Sequence, residues 1–189
     1  MNEGMNEAEL RRRLPPGLAH NRLSLAENRA AAVLVPLEPG RGVWLTRRSG
    51  AMLNHAGQVS FAGGKVDPGD ATVEDAALRE AREEIGLDQT GVEILGRLDD
   101  HITGTGFHIT PVVALVPRDV VLHVASDEVV EVFCLPFAML LDPALPRERR
   151  AVLDGAVRAF HAWPHERHVI WGATGEILRK LAMQLRVRP

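Results

Sequence analysis

The sequence predicts an α/β fold: a mixed β-sheet with helices packed against it. Two observations predict it. Apolar runs of strand length occur back to back, at 30–35 and 42–46, and also separated by helical patterns. Two long segments, 70–85 and 170–185, carry helical periodicity. No internal repeat or low-complexity segment points to another architecture.

Taken in order, residues 1–29 read as an N-terminal extension and 30–189 as a single domain. Glu7 to Leu14 predicts a short helix ended by Pro15-Pro16-Gly17. Arg11-Arg12-Arg13 could meet a phosphate, but such a run is more often a solvated face. Ala30 to Val35 is a continuous apolar run stopped by Pro36, which suits a buried strand. Glu38-Pro39-Gly40 supplies a turn, and Gly42 to Thr46 the partner strand of a hairpin. A glycine-rich loop follows. Asp70 to Ile85 then reads as a helix, with Asp70 or Thr72 as its N-cap and Gly86 as its stop. Gly91 to Asp99, Ile109 to Val116 and Glu131 to Leu135 read as further strands. Ile170 to Leu185 closes the chain as a helix with Leu178, Leu181, Ala182 and Leu185 on one side.

Composition narrows the function classes. The chain has 189 residues, 46% hydrophobic and 25% charged, enough to bury a core without staples. A net charge of −3 argues against nucleic acid as a bulk polyanionic partner. The single Cys134 excludes an internal disulfide framework and suits a reducing compartment. No apolar run approaches the roughly 18–20 residues that span a bilayer, and the polar N-terminus lacks the core of a signal peptide. The expected location is the cytoplasm. A homodimer is left open; neither the extension nor Asp142 to Pro146 shows a heptad pattern.

The chemistry concentrates in 79–87. At about 100° per residue, Glu80, Glu83 and Glu84 share one helix face. Three carboxylates so placed repel unless a cation intervenes, and carboxylate oxygens suit a hard divalent ion, Mg2+ or Mn2+. Arg79 can reach Glu83 one turn on. Taken alone, these nine residues fit an ordinary solvated helix equally well. The preceding loop, with Gly63, Gly64, Pro68 and Gly69, shifts the balance: glycines let backbone approach a ligand closely.

The stretch GGKVDPGDATVEDAALREAREEIGL, residues 63–87, resembles the signature of Nudix hydrolases. Its second half matches without a gap; upstream, Asp70 stands for a glutamate and one extra residue separates it from Arg79. The resemblance implies a Nudix-like α/β/α sandwich, with the mixed sheet between helices, and hydrolysis of a nucleoside diphosphate linked to another moiety. It implies Glu80 and Glu84 as metal ligands, Glu83 as a further ligand or the group that positions or deprotonates water, and Arg79 orienting a glutamate. Residues 45–64, LTRRSGAMLNHAGQVSFAGG, resemble the motif upstream of the box in coenzyme A pyrophosphatases, matching at Leu45, Thr46, Arg47, Ser49, Gly57, Phe61, Gly63 and Gly64. Segments 98–115, 127–136 and 169–178 resemble that subgroup too. Leu53 stands where the subgroup has arginine, and Ala62 where it has proline. The implied substrate is coenzyme A or a derivative, a small-molecule nucleotide, with Arg47, Gly63, Gly64 and Lys65 as substrate-binding residues and Arg48 as a further candidate.

Alternatives stand beside this. The substrate could be NADH, ADP-ribose or a dinucleoside polyphosphate, or the chain could be a silent nucleotide sensor. His55, His101 and His108 lie near the site in sequence, and each has an ordinary structural reading. His161, His165 and His168 tempt a zinc reading, against which Trp163-Pro164 would break the helix needed to align them. Cys134 reads as core. Asp99, Asp100, Asp127 and Glu128 could add a carboxylate from outside the box. Ser60 has no visible His/Asp partners.

Overall fold

A computed structural model describes residues 4–14, 29–50, 57–104, 106–153 and 155–187. The stop at Pro15-Pro16-Gly17, Leu53 and His55 lie outside the described residues. The elements are α1 (Glu7–Arg13), β1 (Ala30–Glu38), β2 (Gly42–Arg48), β3 (Val59–Ser60), β4 (Gly63–Lys65), α2 (Val73–Ile85), β5 (Glu93–Arg97), β6 (His101–Ile102), β7 (His108–Leu115), β8 (Val129–Pro136), α3 (Phe137–Leu140), β9 (Arg147–Leu153), β10 (Ala156–Pro164), β11 (Val169–Ile170) and α4 (Gly172–Arg186).

The main sheet is mixed, as expected. β1 and β7 pair in parallel from Ala30↔His108 to Leu37↔Leu115. Every other pairing in that sheet is antiparallel: β2 with β1, β3 and β8, β4 with β1, and β5 and β6 with β7. The second sheet is β11-β10-β9. Both faces of the main sheet are covered, so its central strands read as unbroken apolar runs. Alternation then assigns each residue to a face. Ala32 and Leu34 of β1, with Val112 and Ala114 of β7, meet Ala76, Ala77, Ala81 and Ile85 of α2. Val35 and Leu37, with Val113 and Leu115, meet Ile177, Leu178, Leu181 and Leu185 of α4 on the other side. Leu10 and Leu14, in and just after α1, are fully buried in that second cluster.

Two local expectations are corrected. β1 runs through Pro36 to Glu38. Leu34 donates its N–H to Ala62 and the Leu37 carbonyl accepts from Val116, so Pro36 faces the side of β4 and β2. There β4 pairs only with 31–33 and β2 only with 37–38, so the missing N–H falls in a gap between the two ladders. Second, residues 156–164 are strand β10, so Trp163-Pro164 breaks no helix. The segment Asp142 to Pro146 is tied to the end of α4, where Arg186 Nη2 donates to the carbonyls of Leu140, Asp142 and Leu145 at 2.8, 2.6 and 3.0 Å.

One buried carboxylate closes the β1–β2 hairpin. Glu38, 3% exposed, accepts from Trp44 Nε1 at 2.9 Å and from the Asp119 N–H at 3.0 Å. Arg41 reaches it at 3.3 Å and stacks over the Trp44 ring, 4.6 Å from its centre. Removing the acceptor strands two donors away from water. Glu38→Ala is expected to lower unfolding stability by about 2 kcal/mol, read by urea denaturation. A loss within the noise of an exposed substitution would contradict this account of the hairpin.

Candidate active site

The position of the carboxylates follows from how α2 begins and ends. Thr72 caps its start, accepting from the Asp75 N–H at 3.1 Å and donating to Asp75 Oδ2 at 2.7 Å. Gly86 closes it in the left-handed conformation at φ 64°. Of the two N-cap candidates, Thr72 takes the role, and Asp70 is left for another. The small face formed by Ala76, Ala77 and Ala81 lets the helix lie close on β1 and β7.

β4 is the other half of the site. A Cβ at Gly63 would lie 2.4 Å from the Ala32 carbonyl oxygen, so only glycine lets β4 pack so tightly on β1. A Cβ at Gly64 would lie 2.5 Å from Glu80 Oε1, in the space that the carboxylate now fills. The Gly63 N–H donates to Glu84 Oε2 at 3.2 Å. The double glycine therefore seats both glutamates.

The three glutamates differ in setting. Glu84 is 5% exposed. Burial pushes its carboxyl up to about 7, against the opposing pull of the Gly63 N–H and the positive charge of Arg48. Burial also raises Glu80, although Arg79 bonds it. Glu83 is the outer one, its side chain 52% exposed. Among the described residues, no three His, Cys, Asp or Glu side chains converge on one centre. Instead, Arg79 Nη1 stands between Glu80 at 2.9 Å and Glu83 at 3.4 Å.

Arg79 organises more than the expected neighbour. It grips Asp70 with two bonds of 3.0 Å and donates to the Lys65 carbonyl at 3.1 Å. Asp70 also accepts from the Asp67 N–H at 2.8 Å. These bonds, Arg79 first, hold the Asp70 carboxyl below its ordinary range. The one-residue insertion and the shorter acid thus keep a bidentate clamp between loop and helix. The Lys65 side chain points into solvent.

Arg47 and Arg48 are separated by their partners. Arg48 lies on the side of Glu84 and Glu128, with Nη2 3.2 Å from Glu128 Oε2. Its Nε is buried without an acceptor among the described residues. Arg47 joins Glu131 at 3.2 Å, whose carboxylate also meets Arg167 at 2.8 Å and His168 at 3.1 Å. Burial alone would raise Glu131, but the bonds from Arg47 and His168 outweigh it and hold it low. The geometry therefore brings together Gly63, Gly64, Arg79, Glu80, Glu83, Glu84 and the backbone of Lys65, and it adds Arg48 and Glu128. It does not bring in Arg47.

The other candidates lie elsewhere. His108 and Asp100 are buried together, 3.6 Å apart. Burial lowers His101. His165 and His168 stack at 5.5 Å beside Phe133. Cys134 packs against the α2-side core, and burial pushes its thiol up to about 12, which leaves it inert. No helix among the described residues is long and apolar enough to cross a membrane.

The donor set fits a hard cation. The buried Glu84 and the half-buried Glu80 are both penalised by desolvation, and a neighbouring positive charge is what relieves that penalty. The comparisons identify the family. A family model described as "NUDIX domain" matches residues 27–154. A protein of Klebsiella pneumoniae named "Uncharacterized Nudix hydrolase NudL" is 43% identical over 168 residues, covering 85% of each chain. Its namesake in Escherichia fergusonii is 42% identical over 169 residues, covering 86% of this chain and 85% of its own. Among solved structures, DR0079 of Deinococcus radiodurans matches with a TM-score of 0.53 over 84% of this chain and 88% of its own, at 18% identity, which speaks for the fold alone.

The clamp predicts a pH signature. Asp70 has a depressed pKa when folded, so its ion pair stabilises above its unfolded value, about 3.9, and that contribution is lost as pH falls through the folded value. Asp70→Asn should unfold about 1–2 kcal/mol more easily at pH 7. Its deficit relative to the parent should close on acidification below about pH 4. A constant deficit across pH would remove the ion pair as its cause.

Proposed function

The chain belongs to the Nudix family of hydrolases, and we propose that it cleaves the diphosphate bridge of coenzyme A or a derivative, giving 3′,5′-ADP and 4′-phosphopantetheine or its acyl form. The observation that carries the hydrolytic reading is Glu84, buried, bonded to the Gly63 N–H and set beside Arg48 on the same helix face as Glu80.

In this reading Glu80 and Glu84 hold Mg2+ or Mn2+, the ions that Nudix hydrolases generally use, with Glu83 as an outer ligand or the group that positions the water. A bound divalent ion neutralises the diphosphate and acidifies its water. The chain's own residues do the rest. The Gly63 N–H holds one Glu84 oxygen and leaves the other to act. Arg79, anchored on Asp70, sets the Glu80 carboxylate and keeps the loop against the helix. Arg48 offers a buried N–H without an acceptor among the described residues, on the Glu84 side, and serves as the phosphate contact, the role that the sequence pattern suggested for Arg47. Gly63, Gly64 and Lys65 border the bound substrate.

Coenzyme A as substrate is supported by the resemblance at 45–64. Ala62, one of its departures, is buried against α2 and uses its carbonyl to accept from Leu34 N–H. A proline there keeps that acceptor, so the departure leaves the loop's anchoring bond in place.

A hydrolysis panel with Mg2+ or Mn2+ tests the reading: coenzyme A, its oxidised and acyl forms, NADH, ADP-ribose and dinucleoside polyphosphates, with products separated by chromatography. Turnover of coenzyme A or a thioester is expected. Turnover confined to the others would move the substrate, and metal binding without any turnover would favour a nucleotide sensor. Glu84→Gln should fold and lose on the order of a thousandfold in kcat. Arg48→Ala should lose about 10–100-fold in kcat/KM, well beyond the loss in Arg47→Ala. The reverse ranking would refute the assignment of Arg48.

A further inference from the structure

The β9–β10 ribbon carries a pattern that the carboxylate site does not use. β9 presents Arg147, Arg149 and Arg150, all exposed, in a chain whose net charge is −3. Register sorts them. Arg149 pairs across from Phe160 and Arg147 from Ala162, so both share a face with the Phe160 ring. Arg150 pairs across from Ala159 on the other face, and its Nε meets Glu148 at 3.2 Å. Arg147 and Arg149 have no carboxylate partner among the described residues. Trp171, at the entry to α4, sets its ring 5.4 Å from Phe160 at 50°. Trp171 is 36% exposed, whereas Trp44 is 8% exposed and Trp163 fully buried.

The element that carries Trp171 is tied to the strand preceding the double glycine. Thr174, in the first turn of α4, donates to the Val59 carbonyl at 3.0 Å, which ties α4 to β3. β3 leads into β4, whose Gly63 and Gly64 pack against Glu84 and Glu80 of α2. An aromatic pair beside unpaired arginines is the chemistry that holds a flat base carrying phosphate.

We propose that this face of the ribbon binds the nucleotide end of the substrate, with the base against Phe160 and Trp171 and a terminal phosphate at Arg149, with Arg147 beside it. The assignment rests on the reading of the chain as a hydrolase of nucleoside diphosphate derivatives. It makes the ribbon the element that chooses among diphosphates, while α2 supplies the chemistry common to all of them.

Because Trp171 is the exposed tryptophan, acrylamide quenching of tryptophan fluorescence reads the site directly, without metal or turnover. Added 3′,5′-ADP should protect the full-length protein from quenching. Phe160→Ala should raise the half-protecting concentration about 5- to 100-fold, and Arg149→Glu about tenfold or more. Arg150→Glu, on the opposite face, should leave it unchanged and so controls for bulk charge. Arg149 is exposed, so its variant tests the proposal even if Phe160→Ala unfolds. Absence of protection at millimolar 3′,5′-ADP overturns the proposal. Equal protection in Arg149→Glu and the parent does so too, as does protection by a single-stranded oligonucleotide but by no mononucleotide. Hydrolysis without protection leaves the catalytic reading standing and removes the ribbon. Protection without hydrolysis of any diphosphate does the opposite.

Discussion

Two glycines set the distance on which this site depends. β4 lies against β1 closely enough that a side chain at Gly63 would collide with the Ala32 carbonyl, and against α2 closely enough that one at Gly64 would displace Glu80. The alanine face of α2 makes the matching approach from the other side. Between these surfaces two glutamates lose most of their water, and the backbone N–H of Gly63 replaces part of it. Any side chain larger than hydrogen at Gly63 would move β4, and with it the carboxylates that the core otherwise holds in place.

Arginines then set the balance of charge. Arg79 reaches from the helix to Asp70 and to the Lys65 carbonyl, so the flexible-looking loop is held by three bonds from one rigid side chain. Arg48 places a second positive charge on the buried side, beside Glu84. Arg47, one residue away, faces different company and settles around Glu131 with Arg167 and His168. Adjacent residues on one strand therefore serve opposite layers of the sandwich.

Much of this was legible in the sequence, for physical reasons. Helices 70–85 and 170–185 were readable because their stripes face a covered sheet, and strands 30–35 and 109–116 because they are buried on both sides. The clustering of Glu80, Glu83 and Glu84 follows from helical geometry alone. Other features depend on tertiary contacts that local pattern does not encode. Pro36 stays in a strand because two ladders leave a gap there. The ribbon at 147–164 leaves no signal in the sequence because its strands are mostly exposed and lack a core-facing alternation. Arg48 could have been preferred to Arg47 from parity: it lies four residues from Trp44, on the same side of β2. Asp70 as partner of Arg79 needed the loop's path, which sequence spacing does not supply.

The parallel pairing of β1 with β7 also governs how the protein can be made. Ala30 finds its partner in His108 and Leu37 in Leu115, so the centre of the sheet joins segments far apart in the chain. Such distant contacts carry a large loop-closure penalty before they return any burial, and they slow folding. During synthesis β1 leaves the ribosome long before β7 exists, and its apolar face toward α4 waits longer still. The hairpin with β2, closed by Glu38, is the structure within early reach. The finished sandwich is a late event, assembled only once α4 has emerged.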